Sequence, residues 1–442
     1  MAERFVGKGV EKVDARSKVT GEARYTEDLI NDFDDLHYVR VLRAPHPHAY
    51  LRSIDISEAE KVPGVVGVFT AADFPELKEF GLIIKDQPAL VRVGEKMRFM
   101  GDALAFVVAE NDQAALIARD KIEVEVEELE VVSDVRQAIQ QDAPEVHEDH
   151  LIKVTHYIDD DLNHSNIICD HYIEKGNVEE GFEEADHVFE NEFTTQFLDH
   201  VPLQVEKGIA DYDPDTGVIT IWAATQWLHD TQADMAQALG VSKDKIRIKQ
   251  PVIGGAFGKK EDISVHIHLA LAAKATGKPV ALIYNREESM IAQSKRHPMI
   301  IRHKTGVTDD GRLTAWQTTL IGDTGAYASS GVAVVHKALY HCTGPYIVPN
   351  VRGVSYTVYT NNTYCGAMRG FGATQMAFAY DSQMDIIADE LDMNPAEFRY
   401  KNAYKPGSTT PNQQELNESV NVRETIEKVK ELSGWKGADT DA

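Results

Sequence analysis

Seven apolar residues in a row, Ala103 to Ala109, stand just before Asn111-Asp112 and a stretch of apolar residues at helical spacing. An uninterrupted run of that length suits a buried strand. Asn111 can accept hydrogen bonds from the amides of a first helical turn, and Asp112 suits its positive end. Together they predict a helix from Asn111 to about Asp120, with Ala114, Ile117 and Ala118 on one face. The following Ile122-Glu123-Val124-Glu125-Val126-Glu127 alternates apolar and acidic, the pattern of a half-exposed strand. Residues 18–130 therefore read as one α/β unit. Polar, irregular sequence then predicts a linker over 131–170, including Gln140-Gln141-Asp142-Ala143-Pro144 and Asp159-Asp160-Asp161. A larger α/β domain is expected over 171–405. Its strands include Gly217 to Trp222 and Pro279 to Tyr284, and its helices Asp230 to Leu239 and Asp262 to Thr276. Residues 406–442 hold one amphipathic helix, Val422 to Leu432, and a polar tail. No internal repeat or low-complexity tract interrupts the chain.

Two glycine loops break the pattern. Gly254-Gly255-Ala256-Phe257-Gly258-Lys259-Lys260-Glu261 follows an apolar segment, Ile246 to Ile253, and is expected to open the helix at Asp262. Glycines let backbone amides approach a ligand, and a helix N-terminus favours negative charge, so the loop suits a phosphate, pyrophosphate or oxo-anion. It lacks the Gly-Lys-Ser/Thr of a Walker loop and the dinucleotide fingerprint, and by itself it reads equally as a tight turn. The second loop, Gly366-Ala367-Met368-Arg369-Gly370-Phe371-Gly372, has the same design and leads into a helix from Ala373 to Leu391. Each sets an aromatic between glycines, Phe257 and Phe371, and two such rings could hold a flat heteroaromatic ligand by stacking.

Composition narrows the class. The chain has 442 residues, enough for roughly two to four domains. A formal charge of −26 repels nucleic acid and anionic membranes. The N-terminus has no apolar signal core and no run approaches membrane-spanning length, so a cytoplasmic protein is expected. Cys169, Cys342 and Cys365 are too widely spaced for a disulfide framework or a metal knuckle. His266 and His268 sit two apart on a predicted helix and point in different directions, so they do not make a joint ligand site. His46, His48 and His297 read as structural, and Cys365 as packing.

With these residues in view, the chain resembles the molybdenum hydroxylases, the xanthine dehydrogenase, aldehyde oxidoreductase and nicotinate dehydrogenase family. Arg43 to Ala49 and Met100 to Ala103 are similar to an N-terminal hammerhead-like α/β domain. Thr225-Gln226, the first loop, Lys295 to Pro298, Gly322 to Tyr327 and the Arg369–Gly372 loop resemble a larger molybdopterin-binding α/β domain. The resemblance implies a molybdenum-molybdopterin cofactor, in its cytosine dinucleotide form, with Gln226, Gly255, Phe257, Gly258 and Arg369 around it; Gln226, Phe257 and Arg369 fall nearest the metal. It implies that Glu261 contacts substrate and stabilises charge on its ring, that Phe371 stacks on that ring, and that Lys337 stands where an arginine is usual. Glu261 and Gln226 are the catalytic candidates.

Ala256 and Lys259 depart from the family by replacing glycines, and Lys337 keeps a charge but loses the bidentate fork, which bears on purine orientation. The motif of the carbon monoxide branch is absent. The family's second cofactor domain, with its general-base glutamate, is also absent, which implies a split subunit active only with a partner chain. The other partners implied are an iron–sulfur subunit and a flavin (FAD) subunit. The expected reaction inserts water-derived oxygen into an N-heteroaromatic ring of nicotinate or purine type. An aldehyde-oxidising member, or a non-catalytic cofactor-binding or assembly protein, are the alternatives.

Overall fold

A computed structural model describes residues 6–148, 162 and 165–435. Its architecture is mixed α/β, in keeping with the expected fold class. The largest sheet has seven strands in the order Ile246–Lys249, Val218–Ala223, Lys207–Asp213, Val280–Ile283, His37–Arg43, Ala103–Ala109 and Val65–Thr70. His37–Arg43 runs parallel to Val280–Ile283 on one side and antiparallel to Ala103–Ala109 on the other. One sheet thus draws strands from both the N-terminal unit and the larger segment. All seven residues of Ala103–Ala109 are buried, as an uninterrupted apolar run should be. The helix His266–Thr276, apolar around most of its circumference and buried from His266 to Ala273, packs under this sheet.

A second sheet carries five strands in the order Ile167–Lys175, Asn350–Tyr359, Leu313–Gly325, Met299–Val307 and His187–Thr194. The helices Gly331–Tyr340 and Ala373–Glu390 cover it around a core that includes Trp316, Leu320, Val335 and Met376. A three-stranded sheet pairs Ala49–Asp55 with Lys96–Met97 and Glu123–Glu128. Among the described residues no helix is long and apolar enough to cross a membrane.

Several elements differ from the sequence expectation. Asn111 caps the helix Asp112–Arg119 by accepting from the Ala114 amide, but the buried face is Ala114, Ala115 and Ala118, and Ile117 is exposed. Residues 131–170 are not simply a linker. Val132, Val135, Ala138, Ile139 and Val146 pack into a core with Ile167, Ile168, Ile300 and Ile321, and a strand already begins at Ile167. The Asp159–Asp161 run lies outside the described residues. The helix expected from Asp262 starts at His266, because Asp262 is turned inward to accept a hydrogen bond from Ser329 Oγ (2.5 Å).

Candidate functional site

The first loop is held from behind by the segment before the large sheet. Gln204 Oε1 accepts from the Gly254 amide (2.6 Å), and the Gln204 amide donates to the Gly254 carbonyl (3.0 Å). Lys260 Nζ donates to the Gly255 carbonyl (2.6 Å) and the Gln204 carbonyl (2.9 Å). Burial pushes the Lys260 ammonium down to about 8, against the opposing charge of Glu206. Within the loop Gly255, Phe257 and Gly258 all take positive φ, at 100°, 60° and 109°. For Phe257 that conformation is uncommon and costly, and such residues gather at functional sites.

Gly258 is needed for a second reason. A Cβ there would lie 2.2 Å from the Ala367 carbonyl oxygen, so only glycine lets the second loop close on the first. The Arg369 amide donates to the Phe257 carbonyl (2.9 Å), and Arg296 donates to the Arg369 carbonyl (2.8 Å). His200 Nε2 donates to the Ala367 carbonyl (2.7 Å); burial lowers this imidazole to about 4, so it is neutral at neutral pH. The two loops form one joined structure.

Gln226 sits at its centre. Its side-chain oxygen accepts from the Gly258 amide (2.9 Å), and its side-chain nitrogen points to Glu261 Oε1 (3.4 Å). The other Glu261 oxygen is buried without a hydrogen-bond partner. Burial first, and then the charge of Asp262, raises the Glu261 carboxyl to about 7; burial raises Asp262 to about 6. A carboxyl at about 7 can donate or accept a hydrogen bond near neutral pH.

The loops therefore bring Gln226, Gly258, Glu261 and the backbones of Phe257 and Arg369 together. Phe371 (φ 51°) lies half-buried in the second loop, with the exposed Lys337 ammonium 5.7 Å from its ring centroid. Among the described residues no contact joins Lys337 to Glu261, and the Phe257 and Phe371 rings do not meet. Phe257 is 49% exposed whereas Phe371 packs against the core of the second sheet.

Lys259 and Lys295 stand in segments that the sequence singles out, but the carboxylate they share, Asp199, carries no sequence signal. Lys259 is fully buried, and its ammonium donates to Asp199 Oδ2 (2.8 Å), Asp199 Oδ1 (3.0 Å) and Ser289 Oγ (3.1 Å). Lys295 shares the same Asp199 oxygen (3.0 Å). Burial would raise Asp199, but these two ammonium groups and the Val201 amide outweigh it and hold the carboxyl at about 2. Two adjacent lysines inside a glycine loop were the one available signal. Residues 199–204 show no periodicity that would mark them.

The site fits the cofactor that the resemblance implies. The Arg369 guanidinium is exposed and makes no hydrogen bond among the described residues, the loops present backbone at positive φ, and Glu261 Oε2 awaits a partner. Among the described residues no group of three or more His, Cys, Asp or Glu is placed to hold a metal. His266 and His268 are buried, with His268 on the Ala89 carbonyl (3.0 Å), and Cys365 is buried.

Comparison with known proteins places these elements. Residues 159–403 match the molybdopterin cofactor-binding domain, and residues 20–130 match the a/b hammerhead domain of aldehyde oxidase and xanthine dehydrogenase. The chain is 40% identical over 426 residues to the nicotinate dehydrogenase large molybdopterin subunit of Eubacterium barkeri, covering 96% of each. It is 37% identical over 398 residues to a probable xanthine dehydrogenase subunit of Bacillus subtilis, covering 90% of this chain and 51% of that protein. The solved aldehyde oxidoreductase of Desulfovibrio gigas superposes with a TM-score of 0.87 at 30% identity, covering 95% of this chain and 46% of that one. The chain spans nearly all of the first relative and about half the length of the other two.

Proposed function

The chain belongs to the xanthine dehydrogenase family of molybdenum-dependent oxidoreductases, as a molybdopterin-binding subunit, and on that footing we propose that it forms half the active site of a multi-subunit hydroxylase. The substrate is an N-heteroaromatic ring of nicotinate or purine type, into which oxygen from water is inserted. The observation that carries this reading is the meeting of Gln226, Gly258 and Glu261 at the joined loops, with one Glu261 oxygen buried and unpartnered.

Gln226, Gly255, Phe257, Gly258 and Arg369 would hold the cofactor, Arg369 through its free guanidinium and the loop through its backbone amides. When bound, the molybdenum cofactor supplies the two-electron redox chemistry. Glu261 orients the ring: protonated, it donates to a ring nitrogen, and ionised, it accepts from a ring N–H. Its raised carboxyl value makes both forms available at neutral pH. Phe371 stacks on the ring and Lys337 supplies positive charge beside it.

The partners in this reading are a second molybdopterin-binding subunit that supplies the general-base glutamate, an iron–sulfur subunit and an FAD subunit. The three cysteines are buried and far apart in sequence, which supports electrons leaving the chain to centres held elsewhere. Free thiols also suit a reducing cytoplasm. The pterin is assigned the cytosine dinucleotide form.

The test is to purify the chain with its neighbours, assay molybdenum and cytidine nucleotide, and compare Glu261→Gln with wild type on nicotinate, purine and aldehyde substrates. A loss of kcat/KM of tenfold or more on heteroaromatics is expected. A complex without molybdenum would sink the reading in favour of an assembly protein. An unchanged heteroaromatic rate with a reduced aldehyde rate would move it to the aldehyde-oxidising class.

A further inference from the structure

Behind Glu261 lies a small cavity that the reading above does not use. Its wall includes Glu261 and Asp262 from the end of the first loop, Ser329 from the turn after the strand Leu313–Gly325, and Asp86 from the N-terminal unit. The space open to the centre of a water molecule is about 10 Å³, close to what one buried water requires. Among the described residues each of the three carboxyls keeps one oxygen buried with no hydrogen-bond partner: Glu261 Oε2, Asp262 Oδ2 and Asp86 Oδ1.

Their other oxygens are fixed. Glu261 Oε1 faces Gln226 Nε2 (3.4 Å). Asp86 Oδ2 and Asp262 Oδ1 are held by consecutive residues, accepting from the Ala328 amide (2.7 Å) and the Ser329 hydroxyl (2.5 Å). Ser329 takes φ 41°, an uncommon conformation, at the turn where these two anchors meet. The Tyr359 hydroxyl also donates to Asp86 Oδ2 (2.7 Å).

Counting donors shows what the cavity needs. Buried carboxylate oxygens can only accept, and leaving them without a donor is costly. The Ser294 hydroxyl, itself unpartnered, stands beside Asp262 and can turn to it. Glu261 Oε2 and Asp86 Oδ1 remain, and one water offers two hydrogens. Three like charges around one enclosed space repel, so the set also favours keeping a proton. Burial raises all three carboxyls accordingly, Glu261 and Asp86 to about 7 and Asp262 to about 6. Among the described residues these carboxyls are not placed to share a metal ion, which leaves water and a proton.

We propose that this cavity holds a water bridging Glu261 to Asp86, and that Asp86 is a positioning residue which governs the proton on Glu261 through it. The proposal rests on the reading in which Glu261 meets the substrate ring, and adds the route that supplies its proton. As Glu261 gives a proton to a ring nitrogen, its O–H bond breaks and an N–H bond forms. The water then passes a proton to Glu261 and takes one from Asp86. Solvent replaces that proton past the partly exposed Lys85–Asp234 pair (2.6 Å), where Lys85 also donates to the Gly81 carbonyl on the cavity wall. One proton passes from solvent to the ring, and no electrons move. A carboxyl oxygen accepts two hydrogen bonds, so Glu261 Oε2 can hold water and ring together. The other titratable groups around the cavity are Tyr359 and Glu79 beside Asp86, Tyr364 beside Asp262, and Lys85 and Asp234.

Infrared difference spectra of the full chain, wild type against variant, read the protonated-carboxyl stretch as pH is raised. The band that Glu261→Gln abolishes should have its midpoint lowered by roughly one pH unit in Asp86→Asn, because coupled groups titrate together. Coupling is reciprocal, so Glu261→Gln should move the Asp86 band equally, which keeps the test open if Asp86→Asn does not fold. In the purified complex turning over nicotinate, Asp86→Asn should hold KM within about twofold, lower kcat about tenfold and enlarge the solvent deuterium isotope effect. Bands that titrate independently would overturn the bridge. An unchanged kcat and isotope effect would overturn the supply route, while Glu261 kept its contact with the ring. Unchanged heteroaromatic turnover in Glu261→Gln would remove that contact, and the proposal with it.

Discussion

Lys259 occupies a position in the first loop where the chain could have had a small residue, and it is instead the most deeply buried ammonium beside the site. Its partner Asp199 is shared with Lys295, which makes the two lysines unequal to a simple pair. Breaking a buried ion pair costs about 3–5 kcal/mol when the remaining charge is left alone. In Lys259→Met the Asp199 carboxylate keeps Lys295, so a loss of about 2 kcal/mol is expected from urea unfolding. Asp199→Asn strips both ammonium groups at once and should lose more; equal losses would show that Lys295 contributes nothing. A different residue governs pH dependence. Asp86 is buried, its Oδ2 accepts from the Ala328 amide and the Tyr359 hydroxyl (2.7 Å each), and Oδ1 has no partner. Burial raises this carboxyl to about 7, although those two donors pull it back. The folded chain thus keeps a proton that the unfolded chain gives up near 4, and the resulting stabilisation is complete below that value and lost as pH rises through 7. The melting temperature of the wild type is expected to fall between about pH 5 and pH 8. Asp86→Asn, which retains an acceptor for Ala328, should show a shallower fall, by on the order of 3 kcal/mol in unfolding free energy. Parallel curves for the two proteins would show that Asp86 is ionised in the folded state across the whole range.

At the level of elements, the junction of the two glycine loops depends on one missing methyl group. Gly258→Ala places a carbon 2.2 Å from the Ala367 oxygen at φ 109°, and the loops must part. Molybdenum per chain is expected to drop tenfold or more in the purified complex. Gly277→Ala is the control: it also has positive φ (63°), but a Cβ there meets nothing within 4 Å. It should cost about 1 kcal/mol and leave molybdenum content unchanged. If both variants retained the metal equally, contact between the loops would not be what holds the cofactor. The loops themselves were legible because glycine spacing is a local signal, and so were Ala103–Ala109 and the Asn111 cap, which depend only on near neighbours. What failed to show in sequence was decided by distant partners. Asp262 has the look of a first-turn helix residue, but Ser329 draws its side chain inward and the helix waits until His266. Val132, Val135 and Val146 look scattered in a polar stretch because the surface that buries them belongs to strands more than a hundred residues away, around Ile300 and Ile321. Residues 199–204 support the site with side chains that follow no periodicity, so hydrophobic patterning could not find them.

Across the whole molecule, the strand His37–Arg43 lies between Ala103–Ala109 and Val280–Ile283, so the N-terminal unit shares its sheet and its core with the rest of the chain. A fragment of residues 18–130 would expose the edge of that strand and part of the core. It is expected to unfold without a cooperative transition, whereas the full chain melts in one step. The charge acts on the same scale. With 71 acidic and 45 basic residues the chain carries −26, and the strand Glu123–Glu128 alone sets four exposed glutamates side by side. Two electrostatic effects compete. Exposed ion pairs such as Arg52–Glu127 and Lys428–Glu431 contribute little each and weaken with salt, while the unbalanced negative charge repels itself over a longer range and is relieved by salt. Because exposed pairs are worth about 0–1 kcal/mol each and the surplus is spread over the surface, repulsion should win. The melting temperature of the isolated chain is then expected to rise by several degrees as sodium chloride goes from about 0.01 to 0.2 M, where the screening length shortens from about 30 to below 10 Å. A fall over that range would mean that attractive pairs dominate, and that the acidic surface is balanced locally rather than strained globally.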